Sequence, residues 1–309
     1  MKAVKRTGSL NTSSFRLRTL WLGPRGLRAG WAALLYCALI AAIMAGFAWA
    51  CRRLGHPFEF HGVMNAPTQI QFELALCIAA LAATRAMAHL DRAPWLDFGL
   101  RAPRGAVQFT LGALCSVAIF SVLMLTLIAL GGATTHHSGA RAPVALVSGL
   151  QWAIAFVLVA AAEEIAFRGY VFFRLARGTH PVIATALTSF AFGLSHAANR
   201  GENLAGVVPV MIYGFVACLA IWRTGSLWWA IGLHATWDWS ESFLFGAADS
   251  GLVAQGNLLT SQATGPVWLS GGTVGPEASV LVFPALAVLA LIAWRGLPAA
   301  ARQRPARAT

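Results

Sequence analysis

The chain has 309 residues, of which 58% are hydrophobic and 11% charged, and its mean hydropathy is +0.65. Its apolar residues come in long blocks, which excludes a soluble domain with one large core and points to an all-α, polytopic integral membrane protein. A net charge of +12 would suit a nucleic-acid partner in size, but the placement of the basic residues argues for orientation and lipid contact instead.

Eight apolar runs are predicted as membrane helices, at 31–50, 71–90, 107–130, 144–173, 181–197, 204–222, 226–245 and 278–294. The thirty residues ahead of the first run carry seven Lys or Arg, a lead too long for a simple cleaved signal, and no small-residue cleavage site closes the run. A retained first helix is therefore expected. The same seven cations begin one set of alternate connections. That set continues with Arg92, Arg101 and Arg104, then Arg174 and Arg177, then Arg223, and closes with Arg295, Arg302, Arg304 and Arg307. The opposite set holds only Arg52, Arg53, Arg141 and Arg200, with none in the long connection at 246–277. Basic residues mark the cytoplasmic side, so both termini are expected there, which an even number of spans allows.

This gives a basic tail at 1–29, three membrane helices within 30–142, a core of helices four to eight within 143–295, and a second basic tail at 296–309. Gly23, Pro24 and Gly26 discourage a continuous helix in the first tail. The second run contains Glu73 and Arg85, twelve positions apart and too distant to pair along one helix. Glu73 near an end and Arg85 able to snorkel are both expected to be structural. Pro94, Trp95 and Pro103 suit an interfacial link between runs two and three. His136 and His137 fall in a short Gly-rich link and are not expected to bind metal. The five cysteines form no C-x-x-C pair, so neither a disulfide framework nor a thiolate metal site is indicated, and they are expected to be small packing residues.

The chemistry concentrates at Glu163, Glu164 and Arg168, directly behind an apolar run. A charge at membrane depth is costly and marks function by default. Glu164 and Arg168 are four apart on one helix face with the acid nearer the N-terminus, the favourable order for an ion pair, and Glu163 points about 100° away. One glutamate is thus expected to be held and the other left free. A helix ending at Ala162 would leave Glu163 at the surface, whereas one continuing through Arg174 would be about 45 Å long and would carry Glu163 into the bilayer. The longer helix is the expected one.

Two further polar sets follow. Phe192 and His196 share one helix face, and His234 and Asp238 share another. Polar groups on separate apolar helices must find partners in a low-dielectric interior, and the readiest partners are one another. Converged, they allow two readings. In one, a glutamate activates a water, one His positions the water or protonates a leaving amine, and the second His with a protonated Asp238 donates hydrogen bonds to an oxyanion. In the other, Glu163, His196 and His234 hold a catalytic zinc with an open position. No H-E-x-x-H, Gly-x-Gly-Asp or partnered Gly-x-Ser-Gly set is present.

The motifs Glu163-Glu164-x-x-x-Arg168, Phe192-x-x-x-His196 and His234-x-x-x-Asp238, in this order on separate helices, resemble the signatures of the CPBP family. These are CAAX-processing and bacteriocin-processing intramembrane proteases related to the Ras-converting enzyme. The stretches Thr224-Gly225-Ser226-Leu227-Trp228 and Gly271 to Glu277 are similar to it too, so the resemblance covers roughly 145–290. It implies an endopeptidase in a membrane of the bacterial inner-membrane type, acting on a membrane protein or peptide with no nucleic-acid partner. By resemblance Glu163 and His196 activate water, Glu164 and Arg168 hold the helix, His234 and Asp238 serve the oxyanion, and Phe192 meets substrate. The cofactor is none or zinc. Position 238 is more often Asn in the family; an Asn amide is always a donor, an Asp only when protonated. A non-catalytic scaffold or self-immunity protein is the alternative. Transport is disfavoured by the lack of a visible inverted repeat.

Overall fold

The computed structural model describes residues 19–23, 26–55, 63–199 and 201–298. Most of both basic tails, and Arg200, lie outside the described residues. Among the described residues, nine helices of nine or more residues carry the fold: α1 (Ala29–Arg53), α2 (Ala66–Leu90), α3 (Gly105–Ala129), α4 (Ala142–Arg168), α5 (Tyr170–Gly178), α6 (Pro181–His196), α7 (Leu204–Thr224), α8 (Trp228–Asp238) and α9 (Val282–Gly296). The integral membrane, all-α character follows from length and composition. Among the described residues, five helical stretches are long and apolar enough to cross a membrane: α1, α2, α3, α4 run on with α5, and α7. Five helices rather than the expected eight reach that length: α6, α8 and α9 have only 16, 11 and 15 residues. They are shorter than the roughly 20 residues a full crossing requires.

Local signals set several boundaries. The Asn65 carboxamide caps α2 by accepting the Thr68 amide at 3.0 Å, and Asn203 caps α7 through the Ala205 amide at 2.8 Å. Proline opens α6, and left-handed Gly225 closes α7 at φ 69°. The first basic tail folds back just ahead of α1: Leu22–Gly23 pairs with Gly26–Leu27, and Trp21 stacks on Trp31 at 3.9 Å. The expected link at 131–141 contains the strand Ala133–His137, which pairs antiparallel with Leu259–Ala263. His136 and His137 thus stand in a two-stranded ribbon rather than a plain loop.

The long fourth helix is present with one interruption. At Gly169 the backbone turns so tightly that an added Cβ would collide with the Ile165 carbonyl, and α5 resumes at Tyr170. Tyr36 of α1, fully buried, reaches α2 and α4 through its hydroxyl, donating to the Ile165 carbonyl at 3.2 Å. Only 6% of the apolar window of α1 is buried, so most of this helix faces lipid.

Two glycine-mediated crossings place the polar residues. Where α3 meets α8, a Cβ on Gly112 would strike the Trp229 carbonyl and one on Gly232 the Phe109 carbonyl. Where α6 meets α7, Gly193 abuts Met211 and Gly214 abuts Ser189. Lipid is as apolar as any helix face, so close backbone approach at small residues is the main source of such association. The first crossing fixes His234 and Asp238, and the second fixes Phe192 and His196.

Candidate active site

Glu164 is fully buried and accepts three hydrogen bonds on one oxygen. Arg168 Nη1 donates at 2.8 Å, His234 Nδ1 at 3.1 Å and the Tyr213 hydroxyl at 3.3 Å. The ion pair with Arg168 has both side chains at 0% exposure. Arg168 lies flat over the Phe192 ring, its guanidinium carbon 3.9 Å from the ring centre. A buried pair of this kind needs such surroundings to offset the desolvation of both charges.

An ionised carboxylate only accepts hydrogen bonds, so the proton on the shared bond sits on His234 Nδ1. This turns Nε2 toward the other two acids. Nε2 lies 3.8 Å from Glu163 Oε2 and 3.5 Å from Asp238 Oδ2. Glu163 keeps 23% of its side chain exposed, and its Oε2 has no hydrogen-bond partner. The adjacent glutamates have therefore separated in role: Glu164 is locked among α4, α7 and α8, and Glu163 faces open space.

That space is a cavity of about 920 Å³. Its wall includes Glu163, Phe192, His196, Tyr213, His234 and Asp238, and it extends from Val171 and Leu175 to Met64, Asn199 and Asp249. The lining thus spans much of the depth of the molecule rather than one half of it. His196 stands on the cavity wall with Nδ1 2.9 Å from the Phe192 carbonyl, its own helix's backbone, and its ring packs edge-on against Phe192 at 4.7 Å. No contact joins it to Glu163 or His234 among the described residues. Glu163, His196 and His234 likewise do not bring their ligand atoms within 4.8 Å of one another, a condition that only Glu241, Asp249 and Glu277 meet among the described residues. As placed, the three do not fit a single zinc ion.

Two residues join the site that sequence reasoning did not assign to it. Tyr213 is one of only three tyrosines in the chain, and a lone hydroxyl inside an apolar run was its only signal. Glu73, expected to be structural, is 5% exposed and lines the same cavity, with Gln69 donating to it at 2.9 Å and its other oxygen unpartnered. Its position two helical turns inside α2, rather than at a wet end, puts it beside the candidate site residues. Arg85 is exposed, as snorkelling predicts.

Against known proteins, a family model described as type II CAAX prenyl endopeptidase Rce1-like matches residues 144–240. That segment, less than half of the chain, is similar to this family. No curated protein and no solved structure matches the chain. The Rce1-like segment runs from the start of α4 to the first residues after α8 and contains all six polar residues named by the three motifs. The stretch Gly271 to Glu277 lies beyond it, as do α1, α2 and α3.

Proposed function

We propose that the chain is an intramembrane endopeptidase of the CAAX-processing type in which Glu163 activates the attacking water. The observation that carries this reading is the Glu163 carboxylate, free of hydrogen bonds on a cavity wall, 3.8 Å from a histidine whose other nitrogen is pinned. A base needs a carboxylate at the substrate space that is not tied up by donors, and Glu163 lines the cavity with 23% of its side chain exposed and its Oε2 unpartnered. Glu163 takes a proton from water as the oxygen attacks the scissile carbonyl carbon. The carbonyl π pair moves to its oxygen, which accepts hydrogen bonds from the Nε2–H of His234 in its doubly protonated form and from Asp238 in its protonated form. When the tetrahedral intermediate collapses, the C–N pair leaves with the amine, which receives the proton from Glu163 or from His196. Glu164, Arg168 and Tyr213 act through His234, holding its ring.

The cavity lining is largely apolar, with Ile40, Phe72, Leu76 and Leu187 among its residues, which suits a peptide carrying a lipid chain. The family description supports a prenylated C-terminal substrate in particular. The donor set as placed does not suit zinc, so no step here passes through a metal.

The test is cleavage of reporter membrane peptides, prenylated and not, by detergent-purified protein beside Glu163→Gln and His196→Ala. Glu163→Gln should lose about 10²–10⁴-fold in rate with folding intact, the usual contribution of a general base. Cleavage should persist with a chelator. Retained activity in Glu163→Gln, or chelator-induced loss restored by zinc, would overturn the assignment of roles.

A further inference from the structure

Beyond α8 the chain turns through a π-helical segment, Trp239–Leu244, and enters the long connection that leads to α9. Single π turns inside helices recur at functional positions. This one carries Glu241, whose side chain is fully buried and whose two carboxylate oxygens both lack a hydrogen-bond partner, although the Trp237 indole lies close. A buried acid without donors requires a proton or a cation.

Two more acids converge on it from separate segments, Asp249 after the π turn and Glu277 in the short 3-10 helix Pro276–Ala278. One ligand oxygen from each of the three lies within 4.8 Å of the others. The Ser242 hydroxyl donates to Asp249 Oδ2 at 3.0 Å, and the Ser250 hydroxyl donates to Glu277 Oε2 at 2.7 Å. These bonds orient two of the carboxylates and leave Asp249 Oδ1 and Glu277 Oε1 for a ligand. Gly275, at φ 114°, brings its backbone against the Ala248 carbonyl, and a Cβ there would sit 3.3 Å from Glu241 Oε1. A further carbonyl oxygen thus stands near the acids at a position only glycine can occupy. Among the described residues, no Lys, Arg or His pairs with any of the three. One edge of Asp249 faces the cavity.

We infer that Glu241, Asp249 and Glu277 form a binding site for a hard divalent cation of the Ca²⁺ type. The donors are all oxygen, which selects hard cations over zinc or copper. Glu241, with both oxygens free, can bind bidentately, and the three irregular segments can adapt to a large ion. Both features favour Ca²⁺ over Mg²⁺, which requires near-ideal octahedral geometry and keeps most of its water. Asp249, Ser250 and Glu277 line the cavity, which gives the ion a way in. The bound ion would fasten the π turn, the loop at 246–251 and the turn ahead of α9 to one another beside Asp238. This inference does not depend on the proteolytic reading.

The test uses the full-length protein in detergent, stripped with a chelator, desalted, and titrated with Ca²⁺ by calorimetry and by melting temperature. Wild type and Glu163→Gln should each bind one Ca²⁺ per chain saturably, with a rise in melting temperature that Mg²⁺ reproduces only at higher concentration. Asp249→Asn and Glu277→Gln should lose both the binding and the rise. Glu241→Gln should do the same, and if its fully buried position prevents folding, the two partly exposed variants decide the matter. No saturable Ca²⁺ binding by wild type, or wild-type binding in Asp249→Asn and Glu277→Gln, would overturn the inference.

Discussion

Replacing Arg168 with methionine removes one half of an ion pair in which both side chains are at 0% exposure. Glu164 would keep only the Tyr213 hydroxyl at 3.3 Å and the His234 Nδ1 at 3.1 Å, with its second oxygen still unpartnered. Breaking a buried pair from one side costs about 3–5 kcal/mol because the remaining charge is uncompensated. The lost contact of the guanidinium with Phe192 falls within that figure. The ratio of folded to unfolded protein should therefore drop by more than about a hundredfold, at 1.4 kcal/mol per factor of ten. Glu164→Gln alone should cost a similar amount, now by stranding Arg168. The double variant Glu164→Gln/Arg168→Met removes both charges yet keeps an amide oxygen for His234 and Tyr213. Its cost should return to within about 1–2 kcal/mol of wild type, since neutral replacement of a buried pair is often tolerated. Reversible unfolding in mixed micelles, followed by circular dichroism for all four proteins, measures the coupling. A double variant that costs the sum of the two singles would refute the reasoning, and so would an Arg168→Met variant that costs under about 1 kcal/mol.

Three further outcomes are expected. Gly232→Ala pushes a methyl into the Phe109 carbonyl and should cost about 1–3 kcal/mol by overpacking, whereas Gly46→Ala on α1, with nothing within 4 Å, should be neutral or slightly stabilising by the same unfolding assay. Tyr213→Phe removes one of three donors to Glu164 and should cost about 1 kcal/mol in stability; cleavage should fall several-fold through kcat with KM little changed, because Tyr213 acts by holding His234. Asp238→Asn keeps the shape and supplies a permanent donor, so peptide cleavage should be retained or raised, while Asp238→Leu should abolish it.

The helices were legible because their apolar runs are long, and α6 opens at Pro181 where its run was expected, whereas α2 opens at Ala66, ahead of the run expected at 71–90. The pairing of Glu164 with Arg168 was legible too, because four positions along a helix is local geometry. What escaped depends on contacts distant in sequence. The strand Ala133–His137 exists only through Leu259–Ala263, more than a hundred residues on. Tyr213 reaches Glu164 across 49 positions, and no local pattern could single it out from its apolar run. The run at 226–245 read as one uninterrupted span, yet it changes from α to π geometry at Trp239, a register shift that hydropathy does not encode. The burial of Glu73 escaped for a related reason: charge near a helix end usually meets water, and here α2 turns that residue inward over the cavity.

The separation of the two neighbouring glutamates follows from the same helical geometry that brings one of them to Arg168. A step of about 100° around α4 directs Glu164 between α7 and α8, where three donors hold it, and directs Glu163 to the cavity, where none does. A single carboxylate could not be both the fixed acceptor that orients His234 and the free base that faces substrate, since the hydrogen bonds that fix it would occupy its lone pairs. Two adjacent acids on a helix divide these tasks with no further change in backbone. Arg168 is what makes the division stable, because it compensates the charge of the buried member. On the opposite side, α8 can carry His234 into reach of both acids only because Gly112 and Gly232 let it sink against α3.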